Sequence, residues 1–226
     1  MTRLKVLLVD DHLLFRKGLA SLLSYRDDFQ IVGEASDGLE AIQKAQETEP
    51  DIILMDVHMP HCDGLQAVRA IRPKLPHASI IMLTADEQDE TLFEAIKSGA
   101  RGYLLKKLDP DNFYAMLSRV AAGDAALSMP MMSKILAEFQ RPGDPAPEES
   151  HRDELTAREL EVLVQVTTGA SNKEIADTLG ITENTVKKHL QSILDKLHMQ
   201  NRIQAAVYAV QEGLLPGSQP GRSPDG

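Results

Sequence analysis

A doubly wound α/β domain followed by a smaller all-α unit is the architecture this sequence predicts, and three observations predict it. Short apolar runs alternate with amphipathic helical patterns through residues 1–124. That alternation stops at Ala125. Beyond a proline-rich stretch, only helical periodicity remains, as far as residue 214.

Five strands open the chain: LKVLLVD (4–10), QIVGEA (30–35), DIILMD (51–56), SIIMLTA (79–85) and GYLLK (102–106). Four of them are nearly continuous apolar runs, as expected of parallel strands covered on both faces. Helical patterns fill the intervals at 12–25, 38–47, 63–72, 87–98 and 110–122, with Gly33, Gly64, Gly99 and Gly102 as breaks. SMPMMSKILAEF (128–139) predicts one short helix, with Pro130 tolerated in its first turn. RPGDPAPEES (141–150) holds three prolines and a glycine and reads as a solvated linker. Helices follow at 156–168, 172–179, 183–197 and 201–213, and PGSQPGRSPDG should be disordered. The expected division is therefore 1–124, a linker over 125–150, 151–214, and a tail over 215–226.

Of 226 residues, 42% are hydrophobic, which is ample for packed cores. No run approaches the roughly 18 apolar residues of a membrane helix. Carboxylates follow the first apolar run, where a signal peptide would carry its cleavage site. The lone Cys62 excludes an internal disulfide framework, so a cytoplasmic protein is expected. The formal charge of −10 is spread unevenly. Residues 1–125 hold 14 basic and 20 acidic side chains, whereas residues 184–202 hold Lys187, Lys188, Lys196 and Arg202 against Asp195 alone. A basic footprint therefore exists, but it is local.

Asp10 and Asp11 close the first strand, Asp56 the third, Thr84 the fourth and Lys106 the fifth. In a doubly wound sheet, ligands bind beyond the carboxyl ends of the strands, so these residues should converge on one crevice. Three carboxylates there call for a hard divalent cation such as Mg²⁺, which in turn suits a phosphoryl group. Single acids at strand ends are often helix caps, and Asp11 before His12 is a candidate for one. The whole set at four strand ends favours chemistry. His58, His61 and Cys62 cluster near Asp56, but loop residues around a turn explain them without a metal.

In the second unit, Thr156 with Glu159 forms a capping box, and Ser171 or Asn172 caps the next helix. Gly180 makes a turn and Thr182 caps a helix with two stripes. Val186, Leu190, Ile193, Leu194 and Leu197 share one side, whereas Asn184, Lys187, Lys188 and Gln191 share another. A charged stripe is ordinarily solvated surface. Here it begins in the first turns of the second of two short helices, the placement that reads bases in the major groove. Thr185, Lys173, Lys196 and Arg202 are the candidates for phosphate contact.

LLVDDH (7–12), ILMDVHMPHCDG (53–64), IIMLTA (80–85) and SGARGYLLKK (98–107) resemble, in order and spacing, the blocks of a flavodoxin-like receiver domain. LTARELEVLVQVTTGASNKEIADTLGITENTVKKHLQSILDKL resembles the LuxR-type helix-turn-helix. Over residues 3–213 the chain looks like a two-component response regulator of the NarL/FixJ type. The resemblance implies that Asp56 is the phosphoacceptor and that Asp10 and Asp11 are Mg²⁺ ligands, with the His58 backbone carbonyl completing the site. Lys106 matches the invariant lysine, Thr84 the switch hydroxyl and Tyr103 the switch aromatic, while Pro60 and Gly64 match the loop after the acceptor. It implies Asn184, Lys187, Lys188 and Gln191 as groove contacts, although relatives often carry a second basic residue at the Gln191 position.

The implied partners are a sensor histidine kinase, DNA with paired half-sites and a second copy on phosphorylation. RNA polymerase is a candidate, no membrane is involved, and no enzyme activity is expected. The last helix, NRIQAAVYAVQEGLL, either forms a dimer contact or packs on its own bundle. Two other readings compete. An aspartyl-phosphate phosphohydrolase would carry a second acid two residues after the nucleophile, where this chain has His58. A LuxR-type regulator responding to a small molecule would not need the strand-end carboxylates.

Overall fold

The computed structural model describes residues 3–85, 91–107, 109–124, 135 and 155–215. The chain divides into two units, Met1–Leu127 and Ser128–Gly226. In the first, β1 (Leu4–Val9), β2 (Phe29–Ala35), β3 (Ile52–Asp56), β4 (Ser79–Thr84) and β5 (Gly102–Leu105) form one parallel sheet in the order β2-β1-β3-β4-β5. Five helices complete it: α1 (Leu13–Ser24), α2 (Gly38–Thr48), α3 (Gly64–Ile71), α4 (Thr91–Lys97) and α5 (Pro110–Ala121). Residues 87–90 of the expected fourth helix lie outside the described residues.

Burial on both faces explains the uninterrupted apolar strands. Leu19 and Leu23 of α1 and Phe113, Leu117 and Val120 of α5 join Val6, Leu8, Leu54, Ile81 and Leu83 in one core. The alternating residues Leu7, Ile53, Met55, Ile80 and Met82 project to the opposite face and are equally buried. Strand order reverses between β1 and β3, which opens the crevice of a doubly wound sheet there. Their register pairs Val9 with Met55, so Asp10 and Asp56 stand next in line at that edge.

Part of the acid in this unit terminates helices. Asp37, Asp63 and Asp109 each accept a backbone N–H at the start of α2, α3 and α5, where the helix dipole also favours a carboxylate. Asp11 does not cap α1: the capping position is His12, without a side-chain bond. Gly33 is no break either. It lies inside β2, at a register shift opposite Leu7, where a Cβ would meet Leu7 Cδ1 at 2.9 Å.

The second unit contains α6 (Ala157–Thr167), α7 (Asn172–Leu179), α8 (Glu183–Lys196) and α9 (Arg202–Gln211). Val162, Leu163, Val166, Ile175, Val186, Leu190, Ile193 and Tyr208 form its core. Thr156 and Ser171 cap α6 and α7 through reciprocal bonds with Glu159 and Glu174, which settles the cap of α7 on Ser171. Gly180 ends α7 at φ 63°, a left-handed conformation natural to glycine, and Thr182 caps α8. Every residue of α9 except Gln204 and Gln211 is buried, as expected of a helix that is apolar nearly all round. Apart from Ile135, which is helical and buried, the expected short helix, the linker and the tail from residue 216 lie outside the described residues.

Candidate functional site

The carboxyl edge of the sheet gathers what the strand ends promised. Asp10 and Asp56 are buried, and Lys106 Nζ lies 2.8 Å from Asp10 Oδ2 and 2.8 Å from Asp56 Oδ2. Lys106 is fixed at its backbone, where its N–H donates to the Thr84 carbonyl at 2.6 Å. Asp10, Asp11, His12 and Asp56 each bring one ligand atom into a group spanning no more than 4.8 Å. The His12 N–H donates to Asp10 Oδ1 at 2.8 Å, which turns the chain out of β1, and His12 Nδ1 lies 2.7 Å from Asp11 Oδ1.

The electrostatics are those of a crowded anionic crevice. Burial pushes the Asp56 carboxyl above its ordinary value; the Lys106 hydrogen bond pulls it back, and the charges of Asp10 and Asp11 push it up again. Burial alone would lower the Lys106 ammonium, but its bonds to Asp10 and Asp56 outweigh that and raise it. One ammonium pairs with Asp10 and Asp56, and with Asp11 beside them the three carboxylates leave a surplus of two negative charges that a divalent cation would offset. All three carboxylates offer hard oxygen donors, so the residues fit Mg²⁺.

Thr84 is buried at the end of β4, beside this group in strand order. Tyr103 is also buried, its hydroxyl 3.0 Å from Thr91 Oγ1 at the start of α4. The expected switch aromatic therefore already occupies an interior position. His58 stands exposed in the loop two residues after Asp56, while Cys62 is buried beside Gly38. The metal-capable grouping among the described residues is Asp10, Asp11, His12 and Asp56. Gly64 closes that loop, its N–H donating to the Val57 carbonyl at 2.9 Å.

Three contributors escaped the strand-end argument. Arg16 donates to the Asp10 carbonyl and, through Nε, to Glu34 at 3.0 Å, bracing the turn that carries the acids. The Phe15 ring lies 5.0 Å from Lys106 Nζ, and His12 joins the carboxylates. All three sit at the start of α1, where periodicity reports helix faces and not what they meet.

In the second unit, Asn184, Lys187, Lys188 and Gln191 are exposed together on α8, and Lys173 is exposed on α7. Gln191 donates to Asp195 at 2.8 Å, and the half-buried Thr185 pairs its hydroxyl with Thr182 at 2.9 Å. Two of the expected phosphate contacts have partners inside the unit. Arg202 is buried, and its guanidinium donates to Asn172 Oδ1 at 2.9 Å and to the Ala170 carbonyl. Lys196 Nζ lies 2.7 Å from the buried carboxylate of Glu159. Lys196 pairs the buried carboxylate of Glu159, whereas the Arg202 guanidinium is held by neutral oxygen acceptors inside the unit.

Burial pushes the Glu159 carboxyl up, yet bonds from Lys196, Ser192 and Thr156 outweigh it and hold it at about 2, against an ordinary 4.5. The resulting stability is complete above 4.5 and is lost as pH falls toward about 2. Glu159→Gln should therefore flatten acid unfolding of this unit across that interval and remove on the order of 3 kcal/mol at neutral pH. Circular dichroism against pH checks this; an unchanged acid limb would contradict it.

A family model described as the response regulator receiver domain matches residues 6–118, and one described as bacterial regulatory proteins of the luxR family matches residues 153–209. The transcriptional regulatory protein LiaR of Bacillus subtilis is 40% identical over 213 residues, covering 94% of this chain and 99% of LiaR. The chain belongs to the two-component response regulators. It joins a receiver domain to a LuxR-type DNA-binding domain, and its relatives are named as transcriptional regulators. A nitrate/nitrite response regulator homologue of Haemophilus influenzae is 38% identical over 205 residues, covering 91% of this chain and 95% of its own. The crystal structure of a LuxR-family response regulator from Aurantimonas sp. aligns with a TM-score of 0.57 at 32% identity, covering 62% of this chain and all of its own. Among the described residues no helix is long and apolar enough to cross a membrane.

Proposed function

We propose that Asp56 accepts a phosphoryl group from the phosphohistidine of a sensor histidine kinase and that this acceptance governs DNA binding. The observation that carries the reading is the triangle of Asp10, Asp56 and Lys106, with one ammonium 2.8 Å from both carboxylates at the topological switch of the sheet. A carboxylate oxygen of Asp56 attacks phosphorus in line; the phosphorus–nitrogen bond breaks, and the donor imidazole leaves with its electron pair. Asp10, Asp11, Asp56 and the His58 backbone carbonyl would hold Mg²⁺, which when bound supplies positive charge to the phosphoryl oxygens. Lys106 exchanges its carboxylate partners for a phosphoryl oxygen, and Thr84 hydrogen-bonds another. Tyr103, anchored on Thr91, reports that movement to α4 and β5.

The unit boundaries proposed are 1–124 for the receiver, 125–150 for the linker, 151–214 for the DNA-binding domain and 215–226 for the tail. In the DNA-binding domain, α8 enters the major groove: Asn184, Lys187, Lys188 and Gln191 meet base edges, while Lys173 and Thr185 meet phosphates. The exposure of the four α8 residues on one face supports this. So small a basic footprint binds one half-site weakly, so a phosphorylation-dependent homodimer on paired half-sites supplies the affinity. The protein acts in the cytoplasm, with RNA polymerase as the partner at the promoter.

Sedimentation of the full chain tests the assembly step. Acetyl phosphate with Mg²⁺ should shift it from monomer to dimer, whereas either reagent alone should not. A monomer under all conditions would refute the dimer.

A further inference from the structure

We infer that Glu159 is a positioning residue for DNA recognition: it fixes the rotation of α8 about its own axis, and with it the bases that the Asn184–Gln191 face can reach. The inference rests on the base-reading assignment above. Glu159 is the third residue of α6, yet its carboxylate reaches two side chains of α8. Ser192 donates to Oε1 at 2.6 Å, and Lys196 donates to Oε2 at 2.7 Å. These residues are four apart, so they stand one above the other on a single flank of α8. At 100° per residue, that flank lies roughly a quarter to a third of a turn from the reading face.

Val186, Leu190 and Ile193 hold its inner face to the core through close apolar packing. The two bonds to Glu159 are directional and charge-assisted. Glu159 cannot follow α8 if the helix turns. Its Oε2 also accepts from the Thr156 N–H at 2.7 Å and the Thr156 hydroxyl at 2.9 Å, which ties it to the cap of α6. A rotation of about 20° would carry side-chain tips about 2 Å around a helix of this diameter, more than a base-edge hydrogen bond tolerates. Phosphate contacts made by long side chains tolerate such a shift. Glu159 therefore governs specific binding and leaves non-specific binding alone.

The test uses the phosphorylated full chain, a duplex enriched by it from a random library, and a shuffled duplex of equal length. Ser192→Ala and Lys196→Met should weaken binding to the enriched duplex about tenfold, the scale of one lost base contact, while binding to the shuffled duplex holds. Lys196→Arg, which keeps the charge, should restore the ratio of the two affinities. The salt slope should not change in any variant. A fall of about one unit in Lys196→Met would make Lys196 a phosphate contact and overturn the proposal. Equal losses on both duplexes would reduce Glu159 to a stability role and also overturn it. Should Lys196→Met fail to fold, Ser192→Ala, which deletes one hydroxyl, decides the matter by the same ratio. A wild-type chain that enriches no duplex refutes the base-reading assignment itself, and the positioning proposal with it.

Discussion

Asp56→Asn is expected to abolish phosphoryl incorporation from acetyl phosphate in the presence of Mg²⁺, while the fold persists. Asparagine fills the same buried volume and can still accept a bond from Lys106, but it lacks the anionic oxygen that attacks phosphorus. Stability should hold or rise. Burial and the neighbouring acids already raise the Asp56 carboxyl, so its ionised form works against the folded state at neutral pH. Removing one of the crowded carboxylates relieves that repulsion. Radiolabel incorporation and a thermal melt check both halves. Full labelling of the variant would remove Asp56 from the acceptor role.

Gly64→Ala is the second large effect. A Cβ at Gly64 would come within 2.1 Å of the Asp56 carbonyl oxygen, and no real Cβ contact is so close. The obstacle is backbone, which cannot swing aside as a side-chain tip can. Either the loop after β3 or the end of β3 must move, and Asp56 moves with it. The variant should lose about 3 kcal/mol of stability, at the upper end of ordinary overpacking costs. The melting temperature of the first unit should fall by roughly 10 °C. Phosphoryl incorporation in whatever remains folded should slow as well. A variant that melts and labels like the wild type would mean that the loop has slack the structure does not reveal. By contrast, Gly180 sits in open space, and what it supplies is its left-handed conformation.

Much of this architecture is legible in the sequence because its signals are local. Parallel strands buried on both faces announce themselves as apolar runs, and a strand-end acid is visible at the run's edge. Thr156 with Glu159 reads directly as a capping box at fixed spacing, whereas the cap of α7 stays open between Ser171 and Asn172 until the Glu174 bond is seen. Gly33 misleads because a glycine inside a strand and a glycine between elements look alike until a register shift is seen.

Charge is harder to read. Lys196 and Arg202 look like surface cations, since nothing near them in sequence shows that their partners are Glu159, 37 residues away, and Asn172, 30 residues away. A helical wheel places a side chain on a face but does not say what that face meets. Arg16 escaped notice for the same reason, since its partner is the backbone carbonyl of Asp10. The acidity of the chain becomes intelligible once positions are known. Asp37, Asp63 and Asp109 cap helices, Asp10, Asp11 and Asp56 build the crevice, and α8 needs only local positive charge.

Affinity for an enriched duplex, measured on the same full-length chain before and after phosphorylation at one fixed salt concentration, tests the central claim most directly. Phosphorylation in the presence of Mg²⁺ should tighten binding about a hundredfold, the gain expected when two weak readers are joined. Asp56→Asn should show no gain under the same treatment. Equal affinity of the phosphorylated and unphosphorylated wild-type chain would contradict the account, because the receiver would then not govern the reader.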